Sequence, residues 1–262
     1  MAFPAQPPIP GYEPVRLLAI NLGTVYLARH SSTGMLVALK VFRRDFAQHS
    51  RDLHAPLAHL HHPNIIRVFG IGDFEESSYC ALEYVEKTLA DRLLQGSLPE
   101  VEAARLTRAV ASALQYARDQ GMILLNLTPN AILLNEENVP KLADFHAGDA
   151  RTESHAITLP SAFMAPEELQ GITTAATDVY RLGAVMYAML TGEPPFADRS
   201  GLEATLRQLI GERPMPPRQV NAKVGSDLEA VCMKCLEKRP EARYASLQEL
   251  ADSLRRFVKS SN

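Results

Sequence analysis

The sequence predicts an α+β protein built in two lobes: a small antiparallel β lobe with one helix over residues 11–86, and a larger helical lobe over 87–262, with a cleft between them. Two patterns along the chain and one bulk property carry that prediction. Up to about residue 86, apolar, β-branched and aromatic residues come in short runs punctuated by turn residues, as strands do. Beyond it, apolar residues recur at intervals of three and four, as on amphipathic helices. At 262 residues, with 46% apolar and 22% charged side chains, the chain can bury roughly 75% of its unfolded surface in a packed core.

The first ten residues, MAFPAQPPIP, are proline-rich and read as a flexible lead-in. Strands follow at PVRLL, at TVYLARH, after the turn SSTG at MLVALKVF, and at IIRVFGIGDF and SYCALEYV, with a helix over about residues 50–60 between the third and fourth. In the helical lobe TLADRLLQG ends at Gly96. Pro99 then opens PEVEAARLTRAVASALQYARDQG, which Gly121 stops. Further helices are expected near 178–190, 200–210, 226–237 and 246–258.

The bulk properties exclude several functions. A net charge of −3 gives no field for nucleic acid or an anionic membrane. The N-terminus lacks the basic start and apolar run of a signal peptide. VYRLGAVMYAML is too short to span a bilayer and contains Arg181, so it reads as a buried core helix. The three cysteines, Cys80, Cys232 and Cys235, make no disulfide framework, which fits a cytoplasmic protein. Cys232 and Cys235 have CxxC spacing without a second pair, and DLEAVCMKCLEK reads as one amphipathic helix. The histidines of AHLHHPN have no carboxylate or cysteine at ligand spacing, so they read as a turn packed by imidazoles. No metal site is expected.

Five segments occur in a telling order: VALK (37–40), KLADF (141–145), MAPEE (164–168), TDVYRLGAVMYAMLTGEPPF (177–196) and CLEKRPEARYAS (235–246). Together they resemble the protein kinase superfamily, and in particular bacterial eukaryotic-like (Hanks-type) Ser/Thr kinase domains, over about residues 11–257. The resemblance implies a bilobal kinase fold. It places Val25, Ala38, Leu82 and Leu133 on the walls of an adenine slot, the hinge backbone near Glu83 and Val85 against the base, and Lys40 and Asp144 toward phosphate and metal. It also pairs Glu167 with Arg243, lets Asp178 brace the backbone of the catalytic loop, and stacks Leu124 on Phe145.

Against that pattern, GMILLNLTPNAIL (121–133) is a catalytic loop without its chemistry. Pro129 is kept, and Asp144 lies eighteen residues after Asn126, the family's interval. Asn126 then replaces the aspartate that accepts the substrate proton, Thr128 the phosphate-neutralising lysine, and Ala131 the metal-holding asparagine. Leu124 and Leu125 replace His and Arg. In the glycine-rich loop, Leu18 and Ile20 replace two glycines and only Gly23 survives. Leu53, with Asp52 beside it, stands where a helix glutamate would meet Lys40, and the DFG motif reads Asp144-Phe145-His146.

These departures imply a pseudokinase: a signalling or scaffolding module that binds another protein, such as a kinase or signalling component, and binds ATP weakly or not at all, with no catalytic residue and no required cofactor or magnesium. A weak or atypical Ser/Thr kinase and a non-catalytic nucleotide sensor are the alternatives.

Overall fold

In a computed structural model of the chain, the described residues are 9–20, 23–43, 56–75, 77–124, 126–143, 145–147, 161–196 and 202–261. The strands β1 (Tyr12–Ile20), β2 (Thr24–His30), β3 (Leu36–Arg43), β4 (Val68–Phe74) and β5 (Ser77–Glu83) form one antiparallel sheet in the order β1-β2-β3-β5-β4. Alternation along β3 divides the small lobe into two faces, because successive strand side chains point to opposite sides. Val37, Leu39 and Val41 pack with Ile9, Tyr26, Ala28 and Ala81 on one side. Phe42 packs with Ile66, Cys80 and Leu82 on the other, with Ala38 against them. Ile9, expected to belong to the lead-in, is 2% exposed and its carbonyl accepts from the Tyr12 N–H, so this end of the segment is docked on the sheet. The helix expected over about 50–60 falls largely outside the described residues, and its last part, Pro56–His59, is a 3-10 turn.

The helical lobe begins with the short pair partner β6 (Lys87–Thr88) and α1 (Leu89–Leu93), which starts in a capping box of Thr88 and Asp91. The helix α2 (Glu100–Asp119) starts after Pro99 with two glutamates in its first turn and ends before Gly121, whose φ of 72° favours glycine. Then come β7 (Met122–Leu124), β8 (Ile132–Leu134), β9 (Pro140–Leu142) and β10 (Phe145–Ala147), short strands that the sequence reading did not resolve. The remaining helices are α3 (Ala175–Thr191), α4 (Leu202–Gly211), α5 (Pro217–Val220), α6 (Ser226–Cys235) and α7 (Leu247–Ser260). Every residue of α3 from Thr177 to Leu190 is buried, so its mostly apolar circumference is that of a central core helix. Among the described residues no helix is long and apolar enough to cross a membrane.

Both cysteines of the CxxC pair are fully buried on α6 and face α3. A Cβ at Gly183 of α3 would stand 2.3 Å from the Cys235 Cβ, so the glycine lets the two helices approach. Gly183→Ala is therefore expected to force them apart and lower stability by about 1–3 kcal/mol, the usual range for overpacking, read as a lower urea midpoint with an unchanged slope.

The lobes meet where residues 64–66 lie along β9. The Ile66 N–H donates to the Leu142 carbonyl at 2.9 Å, the Leu142 N–H to the Asn64 carbonyl at 2.9 Å, and the Asn64 side-chain amide to the Pro140 carbonyl at 2.8 Å. The histidine turn abuts this junction as a packing element: His62 lies 5.3 Å from the Tyr116 ring and its Nδ1 accepts from the Asn64 N–H.

Candidate functional site

The cleft face of the sheet assembles most of the expected slot. Ala38 and Lys40 of β3 stand across from Leu82 and Cys80 of β5, and Val25 of β2 stands across from Lys40. Leu133 of β8 packs on the same cluster from the helical lobe, so Ala38, Leu82 and Leu133 converge as expected. Lys40 is 4% exposed, and its ammonium lies 5.4 Å from the centre of the Phe42 ring, within cation–π range. Burial pushes the Cys80 thiol up to about 12 despite the opposing pull of Lys40, so this cysteine is an unreactive wall.

The hinge follows directly. Glu83 donates its N–H to the Arg67 carbonyl at 2.8 Å, and its carboxylate accepts from the Arg67 N–H at 3.1 Å and from the Lys141 ammonium at 3.0 Å. Its side chain and its N–H are thus committed, leaving a ligand at most its carbonyl. Val85, half-buried, lies two residues on in the connection to β6.

Gly23, the surviving glycine of the phosphate loop, has a local structural reason to persist. A Cβ there would stand 2.8 Å from the Val41 carbonyl and 2.9 Å from the Phe42 ring, so no other residue fits without a shift. Sequence reasoning assigned this glycine to phosphate. The signal that accounts for it is the aromatic residue two positions after Lys40. Leu18 is half-buried, and Ile20 is 66% exposed at the end of β1.

The degenerate loop is pinned by apolar side chains. Leu124 and Phe145 are direct partners across β7 and β10 and are 3% and 1% exposed, which realises the expected contact. Leu127 and Pro129 are buried as well, and Pro129–Ala131 form a 3-10 turn in which the Ala131 N–H donates to the Thr128 carbonyl at 3.0 Å. Asn126 is exposed beside a small recess lined by Ser161, Phe163, Glu168 and Arg181. Asp144, Leu125, Leu53 and Asp52 lie outside the described residues. Among those described, no group of three or more His, Cys, Asp or Glu side chains could hold a metal ion.

Beneath the loop lies a cluster of buried charges. Among the described residues the partners of Asp178 are Arg118, at 2.5 Å, and Arg181, at 3.8 Å, while Leu125 of the loop it is expected to brace lies outside them. Arg181 does brace the loop, donating to the Leu124 carbonyl at 2.9 Å and binding Glu168 in two-pronged fashion. A long guanidinium with five donors can hold two carboxylates and a carbonyl together. The only trace in the sequence was a charge interrupting an apolar helix. Glu167 and Arg243 pair as expected, with bidentate bonds of 2.7 and 2.8 Å, and Thr177 donates to the same carboxylate at 2.9 Å.

A five-stranded β lobe over a helical lobe, with a lysine on the cleft face and a buried Glu–Arg pair below the loop, defines a domain of the protein kinase type. Residues 21–254 match the protein kinase domain family, and the chain belongs to that family. It is 32% identical over 256 residues to a probable serine/threonine-protein kinase, CPE1738, of Clostridium perfringens, covering 92% of this chain and 37% of that protein. It is 33% identical over 255 residues to the serine/threonine-protein kinase PknB of Mycobacterium leprae, covering 90% of this chain and 41% of that protein. A probable PknB of Bifidobacterium longum is 28% identical over 264 residues, with 91% and 38% covered. The chain thus spans about two fifths of the length of these relatives.

Proposed function

We propose that this kinase domain is catalytically impaired and acts as a cytoplasmic signalling or scaffolding module, its partner another protein, such as a kinase or signalling component, rather than nucleic acid or membrane. The observation that carries the reading is the loop itself: an exposed amide at Asn126, a hydroxyl at Thr128 and a methyl at Ala131 occupy the positions of base, phosphate cation and metal ligand. An amide does not accept the substrate's proton at neutral pH, and a methyl group has no electron pair for a cation. This donor set does not fit magnesium, which asks for several oxygens in near-octahedral array.

The adenine half of the cleft keeps its apolar walls, so nucleotide recognition should be lopsided. Magnesium ATP is expected to raise the melting temperature no more than adenosine does, and adding magnesium should change neither shift. A shift several degrees larger for magnesium ATP, measured by thermal denaturation, would point to a working phosphate site.

A weak Ser/Thr kinase is the second reading. What favours it is Lys40, kept on the cleft face opposite Val25, together with relatives that are named as Ser/Thr kinases. Radiolabelled phosphotransfer to a basic protein separates the two, and label that disappears in Lys40→Met would decide for the kinase. A non-catalytic nucleotide sensor would show the ATP-specific thermal shift without label.

A further inference from the structure

Away from the cleft, behind the hinge, a cavity of about 250 Å³ is lined by Leu60, His61, His62, Ile65, Arg67 and Lys141, with Pro63 at its edge. Its floor is apolar, since Leu60 and Ile65 are buried, and its polar groups all carry nitrogen. No carboxylate lines it among the described residues.

Those nitrogens are not equivalent. His62 accepts the Asn64 N–H on Nδ1, which leaves the ring proton on Nε2, 3.4 Å from the Ser112 hydroxyl. Burial lowers its pKa, so it is a neutral, packed ring. Positive charge comes from Arg67 and Lys141. The backbone of Arg67 is tied in both directions to Glu83, while its exposed guanidinium has no hydrogen bond or ion pair among the described residues. Lys141 shares its charge with Glu83, but an ammonium has three donors and Glu83 offers it two oxygens. A guanidinium mounted on a fixed backbone at the mouth of a cavity, with a second cation in the lining, is a receptor for a multivalent oxyanion.

We propose that this cavity is an anion site that takes a phosphate monoester, gripped by Arg67 and Lys141. A carboxylate has one charge and two oxygens in a plane, which Arg67 alone would satisfy. A phosphate monoester has up to two charges and three terminal oxygens, enough to engage both cations at once. The cavity is smaller than the usual range for drug-sized ligands, so it admits the phosphate and little beyond its linking group.

The test is calorimetric titration of the whole chain with O-phosphoserine, a phosphoserine peptide, inorganic phosphate and unmodified serine. One-to-one saturable binding of the phosphorylated probes is expected, with none for serine. Arg67→Ala should weaken it roughly tenfold or more, the scale of a lost charge-assisted bidentate contact, and Arg67→Lys should weaken it less. Because the backbone of Arg67 makes its structural bonds and its side chain is exposed, Arg67→Ala should melt like the parent protein. Tightest binding of the peptide would support the site with a protein side chain as the source; binding of inorganic phosphate at least as tight would support it with a free anion as the source. Failure of every phosphorylated probe to saturate at millimolar concentration would overturn the proposal, as would binding that Arg67→Ala leaves unchanged. Neither outcome depends on whether the cleft transfers phosphate.

Discussion

Replacing Arg243 with alanine is expected to cost about 3–5 kcal/mol of folding stability, the largest loss of any single substitution considered, because it leaves the buried carboxylate of Glu167 without its cation. The guanidinium is fully enclosed. It donates two bonds to Glu167 and others to the carbonyls of Ala176, Glu237 and Lys238, so one side chain ties the 3-10 turn Pro166–Gln170 to α3 and to the approach to α7. For a chain of this size the loss corresponds to roughly 6–20 °C in melting temperature. The effect should also depend on pH with a definite sign. Burial pushes the Glu167 carboxyl up, but the bonds from Arg243 and Thr177 outweigh it and hold the pKa below the ordinary 4.5. A depressed carboxyl contributes stability above the ordinary value and loses it as pH falls through the folded one. Without Arg243, burial has no opponent of that strength, and protonation relieves the stranded charge. The penalty of Arg243→Ala should accordingly shrink as pH falls below about 5, followed by urea midpoints at several pH values. A penalty under 1 kcal/mol at neutral pH, or one that grew on acidification, would contradict the pair's assigned role.

The division into a β lobe and a helical lobe was legible because each element announces its own period. Alternation in VALKVF puts Lys40 and Val41 on opposite faces of β3, and the three-four spacing after Pro99 gives α2 its ends. What the sequence concealed was made by partners distant along the chain. Strands β6 to β10 are two or three residues long and exist only because they pair with one another, so no local pattern betrays them. Arg181 could be placed on α3, but that it would reach the Leu124 carbonyl depends on where Glu168 and Asp178 come to lie. The anion cavity likewise combines residues 60–67 with Lys141, which only the packing of the histidine turn on β9 brings together.

The Asn126→Asp variant is expected to transfer no more phosphate than the parent protein, although it restores the side chain that accepts the substrate's proton. A positioned general base contributes typically about 10²–10⁴-fold, but only within a site that also holds the phosphoryl group and its metal. Here Thr128 supplies no cation, Ala131 no ligand, and Leu18 and Ile20 stand where backbone amides would meet phosphate. Groups that act as a unit are strongly non-additive, so returning one of several gives far less than that one's share in an intact site. The structure makes the experiment interpretable. Asn126 is exposed and nearly isosteric with aspartate, while the loop is fixed by Leu124, Leu127, Pro129 and Phe145 rather than by the amide, so the substitution should leave the fold untouched. The variant is to be compared with the parent and with the triple variant Asn126→Asp, Thr128→Lys, Ala131→Asn, using radiolabelled ATP, magnesium and a basic protein substrate, with melting curves to establish that all three are folded. Label above the parent in the single variant would show that the cleft still holds ATP and metal productively, and the impaired reading would give way to that of a kinase lacking only its base; label confined to the triple variant would place the loss in the loop as a unit.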